Sequence, residues 1–341
     1  METENNVGIN VPVALIFFNR PSVLSETFEA IKKSKPSELF LIQDGPRVGN
    51  SDDINKIKLC RDIVENIDWE CDIHKYYSDK NLGCGMRVYS GISKAFEVVD
   101  RLCIIEDDCV PSSDFFRFCF EMLEYYKNDT RIHKICGMNN LEVFDETPYS
   151  YVFATTGSLW GWATWKRAWE TIDYDLNFLE DEYAINCFLK SFPYPKIARN
   201  MVKKGFKMRK LLNKGRELSF WSYQGGMNVL LNSRINIIPK VNLTTNVGLH
   251  ADATNGTDDI RKVPRGIRSV FHMKTHEMVF PLKHPKYVIR DVNFEKKLFR
   301  LMGVGHPLIC LYRRIETITY RVFLGDFKGL YKALKKRLEI K

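Results

Sequence analysis

Between residues 11 and 108 one pattern recurs four times: a short run rich in β-formers, then a longer stretch whose apolar residues fall three and four apart. The runs are VPVALIFFN (11–19), ELFLIQDG (38–45), CDIHKYYS (71–78) and DRLCIIEDD (100–108). Most are apolar throughout rather than alternating, as expected of strands covered on both faces of a parallel sheet. Between them, RPSVLSETFEAIKKS puts Val23, Thr27, Phe28 and Ile31 on one helical face. SDDINKIKLCRDIVENI predicts a second helix with a Ser/Asp start, and NLGCGMRVYSGISKAFEVV a Gly-bearing loop running into a third. Strand and helix in alternation predict an α/β chain with a doubly wound, mostly parallel sheet.

After residue 108 the order changes. SSDFFRFCFEMLEYYKND predicts an amphipathic helix, and HKICGMN, SYVFATTG and INIIPKVNLTTNVG are strand-like. GWATWKRAWETI and SFWSYQGGMNVLLNS are expected to be helical or irregular. This describes an α+β half packed on the first, with no internal repeat. From about 251 to 290 the chain is polar, Gly/Pro-bearing and aperiodic, and from 296 it is helical and basic.

Composition changes the picture at three points. The 341 residues are 45% hydrophobic and 27% charged, an ordinary globular balance. No apolar run is long enough to predict a transmembrane helix, and METENNVGINVP does not resemble a signal peptide, so a cytoplasmic location is expected. Nine scattered cysteines without a CxxC pair predict reduced thiols acting as small hydrophobes. Finally, residues 296–341 hold 12 Lys/Arg against 3 Asp/Glu, so the remaining residues carry 39 of each sign and the net +9 lies in the tail. A neutral body argues against nucleic-acid binding. The tail points to an anionic surface, and FKGLYKALKKRLEIK (327–341) forms a basic amphipathic pattern suited to peripheral contact with an anionic membrane.

Polar residues gather where the apolar runs end: Asn19 and Arg20, Gln43 and Asp44, Asp79, and Glu106 to Asp108. Open α/β sheets bind ligands at these strand ends. The acidic triplet allows three readings. One is a solvated turn, although it follows LCII abruptly. A second is an acid/base carboxylate pair, but neighbouring residues on an extended chain point to opposite faces. The third, which fits an α/β strand end best, is a Mg2+ or Mn2+ site, where one or two carboxylates suffice if phosphates complete the coordination.

In order along the chain, ALIFFNRP, FLIQDG, NLGCGMRVYSGISKAFE, CIIEDDCVPSSDFFRF, GSLWGWATWKRAW and INIIPKVNLTTNVG resemble the motifs of a GT-A fold glycosyltransferase family. Its members are bacterial sugar transferases related to N-acetylglucosaminyltransferase I. The resemblance covers residues 11–255. It implies a Rossmann-like, mostly parallel sheet flanked by helices, an α+β acceptor half and a C-terminal helical tail. The implied divisions are a GT-A domain at 1–255 (nucleotide-binding half 11–108, acceptor half 109–255), an irregular excursion at 256–295 and a basic tail at 296–341. The implied activity is metal-dependent, inverting transfer from a UDP-sugar to a glycan or lipid-linked acceptor, as in cell-surface polysaccharide or lipopolysaccharide synthesis. Asp108 would bind Mn2+ or Mg2+, Asp107 the ribose or donor sugar, and Glu106 would lie beside the donor or acceptor sugar. Asp44 would face the base, and Arg20 the nucleotide or its phosphates. A late His in some GT-A enzymes makes His250 a further metal candidate. In GSLWGWATW, indole faces can pack on a sugar ring or in a core.

One departure matters. Where relatives carry Trp-Asp, with the Asp as general base, this chain has Trp221-Ser222. An unactivated serine is a poor base. Asp252, or Glu217, would then take the proton; otherwise the chain binds a nucleotide sugar or carbohydrate without turnover.

Overall fold

The computed structural model describes residues 11–216, 218, 221–249, 261, 263 and 265–331. Strands β1 (Val13–Phe17), β2 (Glu38–Gln43), β3 (Asp72–Tyr77) and β4 (Arg101–Glu106) run parallel in the order β3-β2-β1-β4. Helices α1 (Pro21–Ser34), α2 (Ser51–Val64) and α3 (Gly83–Ala95) connect them. Side chains alternate across a strand, and the core divides accordingly. Val13, Leu15 and Phe17 pack with Leu24 and Phe28 of α1 and Val64 of α2. Ala14 and Ile16 pack with Val88, Ile92 and Ala95 of α3. Every residue of β1 is buried, which explains the missing polar alternation.

Next come β5 (Cys109–Pro111), α4 (Ser113–Tyr125), β6 (Ile132–Cys136), β7 (Tyr151–Ala154), β8 (Trp162–Trp165) and the single turn α5 (Lys166–Trp169). A 3-10 turn at Asn177–Glu180 leads to α6 (Glu182–Ser191), α7 (Pro195–Leu212) and α8 (Ser222–Leu231). The chain continues through β9 (Ile235–Pro239), β10 (Thr244–Asn246), α9 (Arg265–Arg268), α10 (Val292–Met302) and α11 (Pro307–Phe323). The first sheet extends past β4 as β8-β6-β9-β7, making a mixed eight-stranded sheet flanked by helices, while β10 and β5 form a separate antiparallel pair.

The structure corrects one element. GWATWKRAWETI begins not as helix but as β8, which pairs antiparallel with β4 on one side and β6 on the other. Trp162, Trp165 and Trp169 stand three and four apart and so imitate a helical stripe. The two free strand edges on either side override that spacing. SFWSYQGGMNVLLNS does contain a helix, α8. Helices α6 and α7 share a small core with α8, in which Phe188, Ala198 and Val202 meet Met227.

The segment past 270 is irregular yet anchored. His272 N donates to Asn246 O at 2.9 Å, and Met278 N donates to Asp114 Oδ2 at 2.8 Å. Residue 296 falls inside α10, which belongs to the packed core: Phe294 and Leu298 lie against Val152 and Ile238. Glu295 accepts from Thr155 N at 2.6 Å and Thr155 Oγ1 at 2.7 Å, tying α10 to the end of β7. By contrast, α11 has no buried residue. Among the described residues no helix is long and apolar enough to cross a membrane, and all nine cysteines are unbridged.

Candidate active site

Parallel pairing puts Ile16 opposite Glu106, so the chain leaves β1 and β4 side by side. Asp107 N extends the ladder by donating to Ile16 O at 2.9 Å. Arg20, at the N-cap of α1, reaches across this gap. Its Nε donates to Asp107 Oδ2 at 3.2 Å, and Nη2 pairs with Asp107 Oδ1 and, at 3.0 Å, with Asp108 Oδ2. Thr27 Oγ1 donates to Asp107 O at 2.8 Å, so α1 holds both the arginine and the backbone of the triplet. Asp108 meets a different element: Asn246 Nδ2 of β10 donates to its Oδ1 at 3.1 Å. A Cβ on Gly248 would collide with the Asp108 carboxylate, so only glycine lets the chain come this close.

Three carboxylates share one guanidinium in a buried setting, and two of them, Glu106 and Asp107, hold their protons more tightly than usual. Burial, helped by Asp108 and Asp107 and opposed by Arg20, pushes Glu106 up to about 8. Burial also pushes Asp107 up to about 6, against the pull of Arg20. Burial disfavours the charge on Arg20, but the two aspartates outweigh it and hold its pKa above the ordinary value. Fully ionised, the cluster carries a net charge of −2, the complement of one divalent cation. Among the described residues no group of three or more His, Cys, Asp or Glu side chains forms a protein-only metal site. A hard cation also bound by phosphates needs only one or two carboxylates, and the oxygen-only donors here fit it. Of the two aspartates Asp108 is the more open, its side chain 15% exposed against 6% for Asp107.

At the end of β2, Asp44 is buried and its oxygens are engaged. Oδ1 accepts from Gly45 N at 2.9 Å and Leu82 N at 2.8 Å, and Oδ2 from Gly83 N at 2.9 Å. Burial raises its pKa, and these three N–H groups oppose the rise. Asp44 therefore holds the loop into α3 against the strand end. Gly45 is required there, because a Cβ would fall 2.6 Å from the Lys80 carbonyl carbon. Gln43 is fully buried and structural: its Nε2 donates to Phe18 O at 2.9 Å, and its Oε1 accepts from Arg61 Nε at 2.7 Å.

A second wall lies across the sheet. Ile104 pairs with Trp162, so the loop before Trp162 comes to the same sheet edge as Glu106. That loop, the sheet face and α8 enclose a cleft of about 450 Å3 lined by Trp160, Trp162, Trp221, Ser222, Lys134 and Asn236. The tryptophans divide by burial: Trp162, Trp165, Trp169 and Trp221 are core residues, and Trp160 is half-buried at the cleft. Gly161 between them has φ +63°, and a Cβ there would lie 2.7 Å from Thr244 Oγ1. Lys134 is buried in the cleft floor. Its Nζ donates to Ser158 O at 3.1 Å, and burial pushes its pKa down. Asn236 Oδ1, also buried, has no hydrogen-bond partner among the described residues.

Of the residues singled out in the sequence, Arg20, Glu106, Asp107 and Asp108 come together. Asp44 stands one strand away, and Ser222 lies exposed at the start of α8 in the tryptophan cleft. Glu217, His250 and Asp252 lie outside the described residues, as does all but the start of the 327–341 pattern. Two positioning residues were missed. Asn246 carries no local mark beyond ending a strand-like run. Asp53 does: it occupies the apolar face of α2 with Ile57, Cys60 and Val64. It is fully buried, binds Arg47 Nε at 2.7 Å and Nη2 at 2.6 Å, and accepts from Asn19 Nδ2 at 2.8 Å, steadying the turn before Arg20.

No protein-family model and no curated protein matches the chain. Among solved structures, HddC from Yersinia pseudotuberculosis aligns at 10% identity and a TM-score of 0.25, over 42% of this chain and 60% of its own length, less than two thirds. A UDP-glucose pyrophosphorylase complexed with UDP-glucose aligns at 9% identity and a TM-score of 0.28, over 48% of this chain and 79% of its own. Likenesses this remote bear on neither the activity nor the ligand of this chain.

Proposed function

We propose that the chain is a GT-A glycosyltransferase that takes a sugar from a nucleotide-diphospho-sugar, UDP-linked, and transfers it with inversion to a saccharide acceptor. One observation carries this: a single arginine and three carboxylates converge at the ends of β1 and β4, a cluster that when fully ionised is two positive charges short of neutrality. In this reading Asp108 holds Mn2+ or Mg2+. Such a cation, when bound, neutralises charge on the departing diphosphate. Arg20 fixes Asp107 and offers its remaining N–H groups to the nucleotide or its phosphates. Asp107 and Glu106 border the donor and acceptor sugars, and Asp44 holds the loop that borders the base. Trp160 offers an indole face to the acceptor ring.

The acceptor hydroxyl gives its proton to a carboxylate as its oxygen bonds to the anomeric carbon. The bond from that carbon to the diphosphate breaks, and the electron pair leaves with the diphosphate. Asp252 is the proposed base, with Glu217 the alternative. Asp252→Asn should abolish transfer and leave donor binding intact; unchanged transfer would remove it from the role.

Titration calorimetry of UDP and GDP, with and without Mn2+, on wild type and Asp108→Ala tests the site. The expected result is Mn2+-dependent UDP binding that Asp108→Ala loses. Absence of nucleotide binding under every condition would refute the proposal. Ser222 favours a second reading, a nucleotide-sugar binder without turnover. Binding without consumption of any UDP-sugar, with or without acceptors, would select it.

A further inference from the structure

Helix α11 is amphipathic in the sense opposite to a helix in water. Ile309, Cys310, Arg313, Glu316, Thr317 and Tyr320 are half-buried and share one face by their three-and-four spacing. They dock the helix largely through polar contacts. Arg313 Nη1 donates to Leu301 O at 2.6 Å, Cys310 Sγ meets Gly303 O at 3.0 Å, and the Arg268 guanidinium lies 5.7 Å from the Tyr320 ring. The opposite face presents Leu308, Leu311, Tyr312, Ile315, Val322 and Phe323, each 49–83% exposed. A solvated surface helix turns its apolar stripe to the core. Here the stripe runs from Leu308 to Phe323 along a helix of 17 residues, about 25 Å long, and faces outward. An uncovered apolar surface of this shape marks an interface.

Charge decides what covers it. Residues 195–216, which include α7, hold nine Lys/Arg and no Asp/Glu, a concentration hidden by the neutral average of the body. Lys196, Arg199, Lys203 and Lys207 of this helix are exposed. The start of α7 adjoins the start of α11: the Tyr194 ring lies against Gly305 and 5.5 Å from the Phe299 ring. Arg314 is exposed beside the stripe, and the ten residues after Tyr331 contain five Lys/Arg and one Glu. A second copy of the chain would cover the stripe but bring these like charges together across a two-fold axis. An anionic bilayer surface takes up both the apolar stripe and the cations.

We propose that α11 lies in the interfacial plane of a bilayer containing anionic lipids, its apolar stripe in the acyl boundary and the α7 cations at the headgroups. The proposal rests on α11 and α7 and does not depend on the nucleotide-sugar reading. A lipid-linked acceptor would suit it.

The test is flotation of the full chain with vesicles of phosphatidylcholine alone and of an equal mixture with phosphatidylglycerol. Wild type should float with the mixed vesicles. Leu311→Glu/Ile315→Glu should weaken binding at least about tenfold, since two apolar side chains no longer bury. Lys203→Glu/Lys207→Glu should also weaken binding, and added salt should weaken it further. If the first variant fails to fold by circular dichroism, Leu311→Ser/Ile315→Ser replaces it with the same expectation. Sedimentation velocity without lipid should show a monomer. Three results would overturn the proposal: wild type that stays unbound at low salt, a stripe variant that binds as tightly as wild type, or a dimer that the stripe variant dissolves while vesicles bind neither protein. The last would assign the stripe to a second copy of the chain.

Discussion

Replacing Arg20 by methionine removes the cation that binds both Asp107 and Asp108 while keeping a side chain of comparable apolar stem. The side chains of Arg20, Asp107 and Asp108 are 20%, 6% and 15% exposed, so solvent screening leaves much of the interaction intact. Breaking a buried pair from one side costs about 3–5 kcal/mol, and the residual exposure of Arg20 favours about 3. At about 2 °C per kcal/mol for a chain of this size, the expected loss in Tm is about 6 °C. The loss should depend on pH. Burial already raises Asp107 to about 6 despite Arg20, and without Arg20 it rises further. An acid with a raised folded pKa stabilises the fold below its unfolded pKa, and that contribution disappears as pH rises through the folded value. At about pH 5 Asp107 and Glu106 therefore take up protons and the substitution costs little. At about pH 8 the wild-type carboxylates still have Arg20 and the variant's do not, so the full loss appears. Thermal unfolding of both proteins at the two pH values measures the difference. An equal loss at both would mean that packing of the stem, not charge, was removed. No loss at either would refute the cluster itself.

Metal and nucleotide should act on the same groups. Mn2+ held by Asp108 should raise Tm more at about pH 8 than at about pH 6, because the deprotonated Glu106 and Asp107 then add negative charge beside it, and Asp108→Asn should remove most of the shift; a pH-independent shift would place the ion elsewhere. Gly161→Ala places a Cβ 2.7 Å from Thr244 Oγ1 at φ +63° and should cost about 2–3 kcal/mol by urea unfolding. Adding Thr244→Ala should return the steric part and leave the backbone part; no recovery would refute the contact. Asp53→Asn should cost about 1–2 kcal/mol, discounted because Arg47 is 55% exposed. The hydrogen bond from Arg47 holds Asp53 down to about 2, so its contribution is present above the ordinary aspartate pKa and lost as pH falls toward about 2. A difference between the two proteins that persists in full at about pH 2 would contradict that origin.

The first half of the fold was legible because its signals are local. An apolar run of strand length, covered on both faces, shows itself in consecutive residues, and β1, β2 and β4 lie where such runs occur. The charges after each run mark the strand end, and three of those ends carry the candidate site. Other features could not be read locally. Trp162, Trp165 and Trp169 satisfy a helical period, and only the open edges of β4 and β6 draw Trp162–Trp165 into a strand. Asn246 reaches Asp108 across 138 positions, and Arg20 reaches Asp107 across 87. α11 has an amphipathic pattern visible in the sequence, but periodicity states only that two faces differ. The side that meets the core was decided by Arg313, Cys310 and Tyr320 docking beside α10. The chain by itself determined which segments pair or coil and where charge accumulates, because propensity and burial period are properties of neighbouring residues. The tertiary structure alone decided which distant side chains share the triplet and which helix face is left for a partner, because those depend on what each element is packed against.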